Sequence, residues 1–259
     1  MPSNKLSLNG GDLAGSGPRR SASNRCVSVF SPAVKTSESF SWTPRPLPLS
    51  FFKGSTRALA KKLLGHVLCC GGLQGRIVET EAYLANDPAS HSFGGRTDRN
   101  AAMFLEAGHC YVYRIYGIHR CVNVVTRPEG IGEAVLIRAV EPLHPLPDSL
   151  EDSVSAFWLN RYGTRPPSHL VQELENGNRG LLKKYINLCN GPGKLCAAMK
   201  IGVNLHDGLR LDSDEIQLRR GRSIPAQEIE SGPRIGISPG KNHLAPWRYV
   251  IKGSPYLSR

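Results

Sequence analysis

Strand-like segments follow one another through the middle of this chain, with few helices between them. "HVLCCGGLQGRIVETEAY" (residues 66–83) reads as two strands around a Gly-rich turn, and "CYVYRIYGIHRCVNVVT" (110–126) as two more joined at Gly117. "EAVLIRAVEPL" (133–143) reads as a further strand, ended by Pro142. "DEIQLRRG" and "PWRYVIKGSP" supply late strands. Strands that succeed one another favour antiparallel pairing. The succession predicts an α+β fold, a single domain with a curved antiparallel sheet core surrounded by helices.

The helical signals are fewer. "STRALAKKLLG" has Ser55 as N-cap, Leu59 and Leu63 on one face and Gly65 as terminator. "RNAAMFLEAG" (99–108) suits a short helix stopped by Gly108. Residues 144–187 are polar and helical in tendency, broken by "RPP" at 165–167, and "GPGKLCAAMKIG" (191–202) starts a helix at a Pro/Gly corner. Residues 1–48 differ in kind: Ser-, Gly- and Pro-rich, with Asp12 the only acid before Glu38. Such a segment buries too little apolar surface to offset its ordering entropy, which predicts a disordered basic tail. Its Arg/Ser-rich composition also suits an organellar transit peptide. The folded domain is expected over residues 49–259, with "RPLPL" as an extended lead-in.

Of 259 residues, 40% are apolar, enough for a packed core, and the net charge is +12. That charge favours a polyanionic partner, nucleic acid first and an anionic membrane surface second. No apolar run is long enough to span a bilayer. Of the two partners nucleic acid is the one expected, and no membrane. The seven cysteines form no CxxC pair, and no Cys/His cluster has zinc-finger spacing. They read as reduced thiols, and no metal is expected.

The chemistry concentrates in "RIVETEAYLANDPASHS" (76–92). Glu79 and Glu81 lie two residues apart on a strand, so both carboxylates leave one face, which like charges resist. A carboxylate there can be a general base if water and substrate are positioned. It can equally pair with an arginine such as Arg76 or Arg138. Tyr111 and Tyr113 share a strand face, Tyr116 sits beside the Gly117 turn, and Tyr83 follows the acids. These are a cross-strand aromatic core or a stacking pocket for a base, with one ring free to wedge into a duplex. In "SHSFGGRTDRN", His91 reads either as an unremarkable loop histidine or as part of a segment whose "GGR" (with Arg96) and Arg99 bring backbone and guanidinium groups toward phosphate. "NGPGKL" fails the phosphate-loop spacing; its helix start and Lys194 suit either a phosphate contact or an ordinary capped helix.

Together, "GRIVETEAYL", "ASHSFGGRTDRNAAMF", "YVYRIYGIHRCVNV", "AVLIRAVEPL", "GPGKL" and "RYVIKGSP" resemble the alkyladenine (3-methyladenine, methylpurine) DNA glycosylase family over most of the chain. The resemblance implies a monofunctional glycosylase that flips alkylated or deaminated purines out of duplex DNA. It would hydrolyse the N-glycosidic bond and so start base excision repair. It implies Glu81 as the base that activates water, with Arg138 near that water. Tyr83 and Tyr113 would sandwich the flipped base, His91 would contact it, and Asn123 would gate its edge. Tyr116 would fill the vacated stack. No cofactor is implied, and Glu79 inherits no role. The protein would act as a monomer on double-stranded DNA containing damaged purines, handing abasic sites to downstream repair proteins. Its expected address is the nucleus, or an organelle if the tail is a transit peptide. Two other readings compete: a noncatalytic nucleic-acid-binding module, which does not need Glu81, and a carbohydrate glycosidase using Glu79 and Glu81 as a pair. In the latter, both acids would crowd one side of a sugar rather than flank a bond.

Overall fold

A computed structural model describes residues 25–26, 40–41, 45–143 and 150–258. The disorder expected of the tail falls largely outside them. The element described there is a two-residue antiparallel pairing of β1 (Arg25–Cys26) with β2 (Phe40–Ser41). The "RPLPL" lead-in is extended and docks on the main sheet: Pro46 bridges to Arg219, and the Leu47 N–H donates to the Leu218 carbonyl at 2.7 Å. Leu47 and Phe52 are buried in the core.

Helix α1 (Thr56–Leu63) begins after Ser55, although the serine hydroxyl makes no capping bond, and it buries Leu59, Ala60 and Leu63. The chain then turns at Gly65 with φ +82°, where an added Cβ would lie 2.0 Å from the Arg222 carbonyl oxygen. Only glycine fits, both for the left-handed backbone and for the close approach.

Eight strands form one antiparallel sheet: β3 (Val67–Cys70), β4 (Leu73–Tyr83), β5 (Cys110–Ile115), β6 (His119–Val125), β7 (Ala134–Leu143), β8 (Ile216–Arg219), β9 (Ile229–Gly232) and β10 (Arg248–Ile251). The order β5-β6-β7-β4-β10-β9 makes β4 and β7 the centre, and β3 and β8 extend the sheet beside the first half of β4. The α+β expectation is borne out. Pro142 does not end β7: it pairs opposite Gly75, and the strand runs on to Leu143. Residues 98–104 form a 3-10 helix, closed by a reciprocal capping box between Thr97 and Asn100. The 144–187 segment holds α2 (Leu150–Tyr162), α3 (Leu170–Glu175) and α4 (Arg179–Ile186), with the "RPP" break between α2 and α3. α5 (Pro192–Ala198) starts at the Pro/Gly corner, and α6 (Val203–His206) follows. Strand β9 was not legible in its sequence.

The sheet has two unlike faces. One carries Ile77, Val122, Val124, Val135 and Ile137 into the main apolar core, with Leu59 and Leu63 of α1 and Leu195 of α5. Thr80 lies on that side, and its hydroxyl donates to the Ala60 carbonyl of α1 at 2.8 Å. The other face carries a smaller cluster built on Tyr111, Val125, Ala134 and Met103, with Tyr83 and Tyr113 packed against it. Strand alternation puts Glu79 and Glu81, either side of Thr80, on this second face.

Candidate active site

One row of residues crosses the second face. Tyr111 pairs with Asn123, Asn123 with Leu136, Leu136 with Glu81, and Glu81 with Arg248. Directly paired residues project to the same face, so residues from five strands meet by sheet register alone. The register between β4 and β7 shifts on both sides of Glu79. Arg138, two residues beyond Leu136, comes to lie against both acids.

That arginine resolves the like-charge conflict. Its Nε is 3.1 Å from Glu79 Oε1, and its Nη1 is 3.2 Å from Glu81 Oε1. Both carboxylates are completely buried. Beside them the Arg138 guanidinium is held above its ordinary pKa: burial opposes the charge, and Glu81 first, then Glu79, outweigh it. Arg76, the other arginine considered, pairs instead with Glu141.

The two acids nonetheless differ. Glu79 is saturated: Oε1 accepts from Arg138, from Arg248 Nε at 2.6 Å and from the Ser258 hydroxyl at 2.7 Å, while Oε2 accepts from the Ser258 N–H at 2.6 Å. It ties β4 to β7, β10 and the C-terminal segment, a structural role. Glu81 Oε1 accepts from the Ile235 N–H at 2.8 Å, and Oε2 from the Tyr83 hydroxyl at 2.8 Å. Burial, then the Glu81 carboxylate, drive the Tyr83 phenol well above its usual pKa, so it remains a donor.

Above this pair opens a cleft of about 520 Å³. Tyr83, Arg138, Ile235 and Ser258 form its floor; Glu81, fully buried and bonded to the first three, lies beneath that floor rather than on it. Tyr111, Tyr113, His91 and Asn123 form one side, and Tyr116 and His119 the rim. Arg161, Asn190 and Lys194 with the start of α5 close the other. Tyr113 stacks on Tyr111 with centroids 5.3 Å apart, and the His91 ring meets Tyr113 edge-on at 4.3 Å. His91 Nδ1 lies 2.9 Å from the Tyr111 hydroxyl. Desolvation against these rings, then the Arg99 charge, lower its pKa, which favours the neutral imidazole. The Asn123 amide donates to the Tyr111 carbonyl at 2.9 Å, which fixes its side chain in the wall.

Tyr116 stands at the tip of the β5–β6 hairpin, 85% exposed, with φ +52°. A left-handed backbone is unusual for a bulky residue and costs on the order of 1–3 kcal/mol. Gly117 beside it shares the positive φ without cost. The hairpin leans on α5, because Gly193 lets His119 approach: an added Cβ would sit 3.1 Å from the His119 side chain.

Of the expected phosphate contacts, Arg96 and Arg99 are exposed, and Arg99 also donates to the Arg114 carbonyl at 3.1 Å. Lys194 reaches the cleft wall and bonds Asn190 Oδ1 at 2.7 Å. Sheet register and loops thus bring Glu81, Arg138, Tyr83, His91, Tyr113, Asn123, Tyr116 and Lys194 to one cleft. The Ile235 N–H, Ser258 and Arg248 were not anticipated. Each comes from a C-terminal segment more than 150 residues from the acids; Arg248 opens the "RYVIKGSP" strand, but nothing local there points to the acids. No group of three or more His, Cys, Asp or Glu among the described residues has the arrangement of a metal site.

A model of the methylpurine-DNA glycosylase family matches residues 50–255. The chain belongs to the methylpurine-DNA glycosylase family. It is 41% identical over 213 residues to a protein of Rhodopseudomonas palustris (strain HaA2), covering 82% of this chain and 90% of that one. A Methanoculleus marisnigri protein is 42% identical over 219 residues, covering 82% and 98%, and a Bacillus cereus (strain AH187) protein is 40% identical over 224, covering 82% and 98%. All three are provisionally named 3-methyladenine DNA glycosylases. Membership makes this chain a hydrolase of N-glycosyl bonds that acts on alkylated bases in DNA. Neither the binding-module nor the carbohydrate reading gains support, and the saturation of Glu79 removes the second carboxylate the latter needs.

Proposed function

We propose that the protein flips a damaged purine, alkylated or deaminated, out of duplex DNA into the cleft, and that Glu81 drives its hydrolysis. The observation that carries the reading is the contrast between the two buried acids. Glu79 is held on every side, whereas Glu81 Oε2 accepts from the Tyr83 hydroxyl alone among the described residues and lies under the cleft floor. A base must be taken out of the stack before its glycosidic bond can be reached, at a cost of a few kcal/mol. Tyr83 and Tyr113 offer it stacking surfaces, His91 and Asn123 meet its polar edges, and Tyr116 fills the gap left in the duplex.

Hydrolysis breaks the C1′–N bond, and its electron pair leaves with the base. Water adds to C1′ and loses a proton to Glu81. The sugar passes through an oxocarbenium-like state, which the carboxylate stabilises. Arg138 holds Glu81 in place and keeps it from repelling Glu79. The products are a free base and an abasic site. Monomeric action, handover to abasic-site repair proteins and a nuclear or organellar address belong to the same proposal. The relatives described above give the nuclear address no support.

The test is single-turnover excision from duplexes carrying 3-methyladenine, 7-methylguanine, hypoxanthine or ethenoadenine, with undamaged DNA as control. Base release from at least one lesion and none from the control supports the reading. Release from none overturns it.

A further inference from the structure

Behind Tyr83 lies a buried ion pair. Arg234 and Asp87 are joined by two contacts, one of them Nη2 to Oδ1 at 3.2 Å, and both side chains are wholly withdrawn from solvent. The guanidinium carbon is 4.6 Å from the centroid of Tyr83 and 4.9 Å from that of Trp247, so the arginine is layered between the two rings. Tyr83 lines the cleft, whereas Arg234 and Asp87 do not. The tyrosine ring therefore stands as a partition, with a full positive charge behind it and the proposed base site in front.

A cation on one face of an aromatic ring uses the negative potential of its π-system. A second cation on the opposite face gains less, and the two cations repel across the ring. An N-alkylated purine is such a second cation. Asp87 cancels the charge behind the ring while leaving the guanidinium stacked. Asp87 also accepts from the Ala89 N–H at 3.2 Å and the Asn242 amide at 3.3 Å, contacts that hold it in place beside the guanidinium.

We propose that Asp87 and Arg234 are specificity-determining residues: their charge balance behind Tyr83 sets how well the cleft accepts a cationic purine relative to a neutral one. This rests on the proposed base-flipping glycosylase reading.

The experiment uses the full chain with Glu81→Gln, which binds without hydrolysing. Its affinity is measured for duplexes carrying cationic 7-methylguanine, neutral hypoxanthine or no lesion. The quantity read is the 7-methylguanine to hypoxanthine affinity ratio, in which a general loss of packing cancels. Adding Asp87→Asn leaves a net positive charge behind the ring and should lower that ratio about tenfold, the scale of one charge acting across about 8 Å in a partly shielded site. Adding Arg234→Met leaves a net negative charge behind the ring and should raise it by a few-fold. The double variant should return it to within about twofold of the parent. Arg234→Met and the double variant differ only in the charge at residue 87, so that comparison survives if Asp87→Asn does not fold. Shifts of the same sign in both single variants, or none in any variant, overturn the charge assignment alone. A parent that prefers neither lesion over undamaged DNA overturns the glycosylase reading and this inference with it.

Discussion

The Tyr83 hydroxyl donates to Glu81 Oε2 at 2.8 Å, so a residue proposed to stack on the base also touches the carboxylate proposed to act on it. Binding and chemistry thus share one side chain on one strand. Tyr83→Phe keeps the ring and removes the hydroxyl. Lesion affinity should fall less than threefold and the excision rate about tenfold, the scale of one hydrogen bond to a charged group. Equal losses in both would mean that the hydroxyl serves only to hold the ring.

Tyr116 projects from the hairpin tip in a left-handed backbone. Tyr116→Ala should weaken lesion-specific binding about tenfold or more, because one aromatic stack in the duplex is lost, worth about 1–3 kcal/mol. Tyr116→Gly should weaken it similarly while raising thermal stability, since glycine relieves the positive φ. Base-analogue fluorescence reports the flipped state. Unchanged flipping in both variants would remove the wedge role.

Arg96 lies exposed on the loop that carries His91, and Arg99 lies exposed in the 3-10 helix that follows it. Neutralising either should reduce affinity for damaged and undamaged duplexes alike, and lower the slope of log affinity against log salt by about one. A slope unchanged in both variants would place the phosphate footprint elsewhere.

His66 is buried behind the sheet, where its Nδ1 accepts the Gly221 N–H at 2.9 Å. Burial, then Arg220, lower its pKa to about 4. The unfolded chain therefore binds a proton that the folded protein refuses. The stability this histidine allows is complete above about pH 6.5, falls as the pH drops, and is fully lost near pH 4, by at most about 3 kcal/mol. His66→Asn retains an acceptor for Gly221 and cannot take the proton. Thermal unfolding between pH 4 and 7 should show a flatter acid limb in this variant. An identical limb would assign the acid sensitivity to other groups.

The strands around the acids were readable because apolar β-branched runs bounded by glycine encode them directly. The facing of Glu79 and Glu81 followed from the two-residue strand period, and their pairing with an arginine was one of two open readings. What was not readable is what distinguishes them. Glu79 is saturated by Arg248 and Ser258, and Glu81 receives the Ile235 N–H. All three partners arrive through the fold of the last thirty residues rather than through local pattern. The Asp87–Arg234 pair escaped for the same reason: its members are 147 residues apart, and an Asp in a loop and an Arg after a proline carry no mutual signal. Pro142 read as a strand end because its missing donor was weighed without its position. Here it lies one residue from the end of β7, opposite Gly75.

The central claim is that Glu81, and not Glu79, performs the chemistry. Its most direct measurement is single-turnover release of 7-methylguanine by Glu81→Gln, with lesion binding followed in parallel. Glutamine keeps the shape and can still accept from Ile235, but it cannot take a proton from water. The predicted result is excision reduced at least about a thousandfold, within the range general-base catalysis and charge stabilisation together supply, with lesion affinity within about threefold of the parent. Excision within tenfold of the parent, from a variant that still binds the lesion, would contradict it.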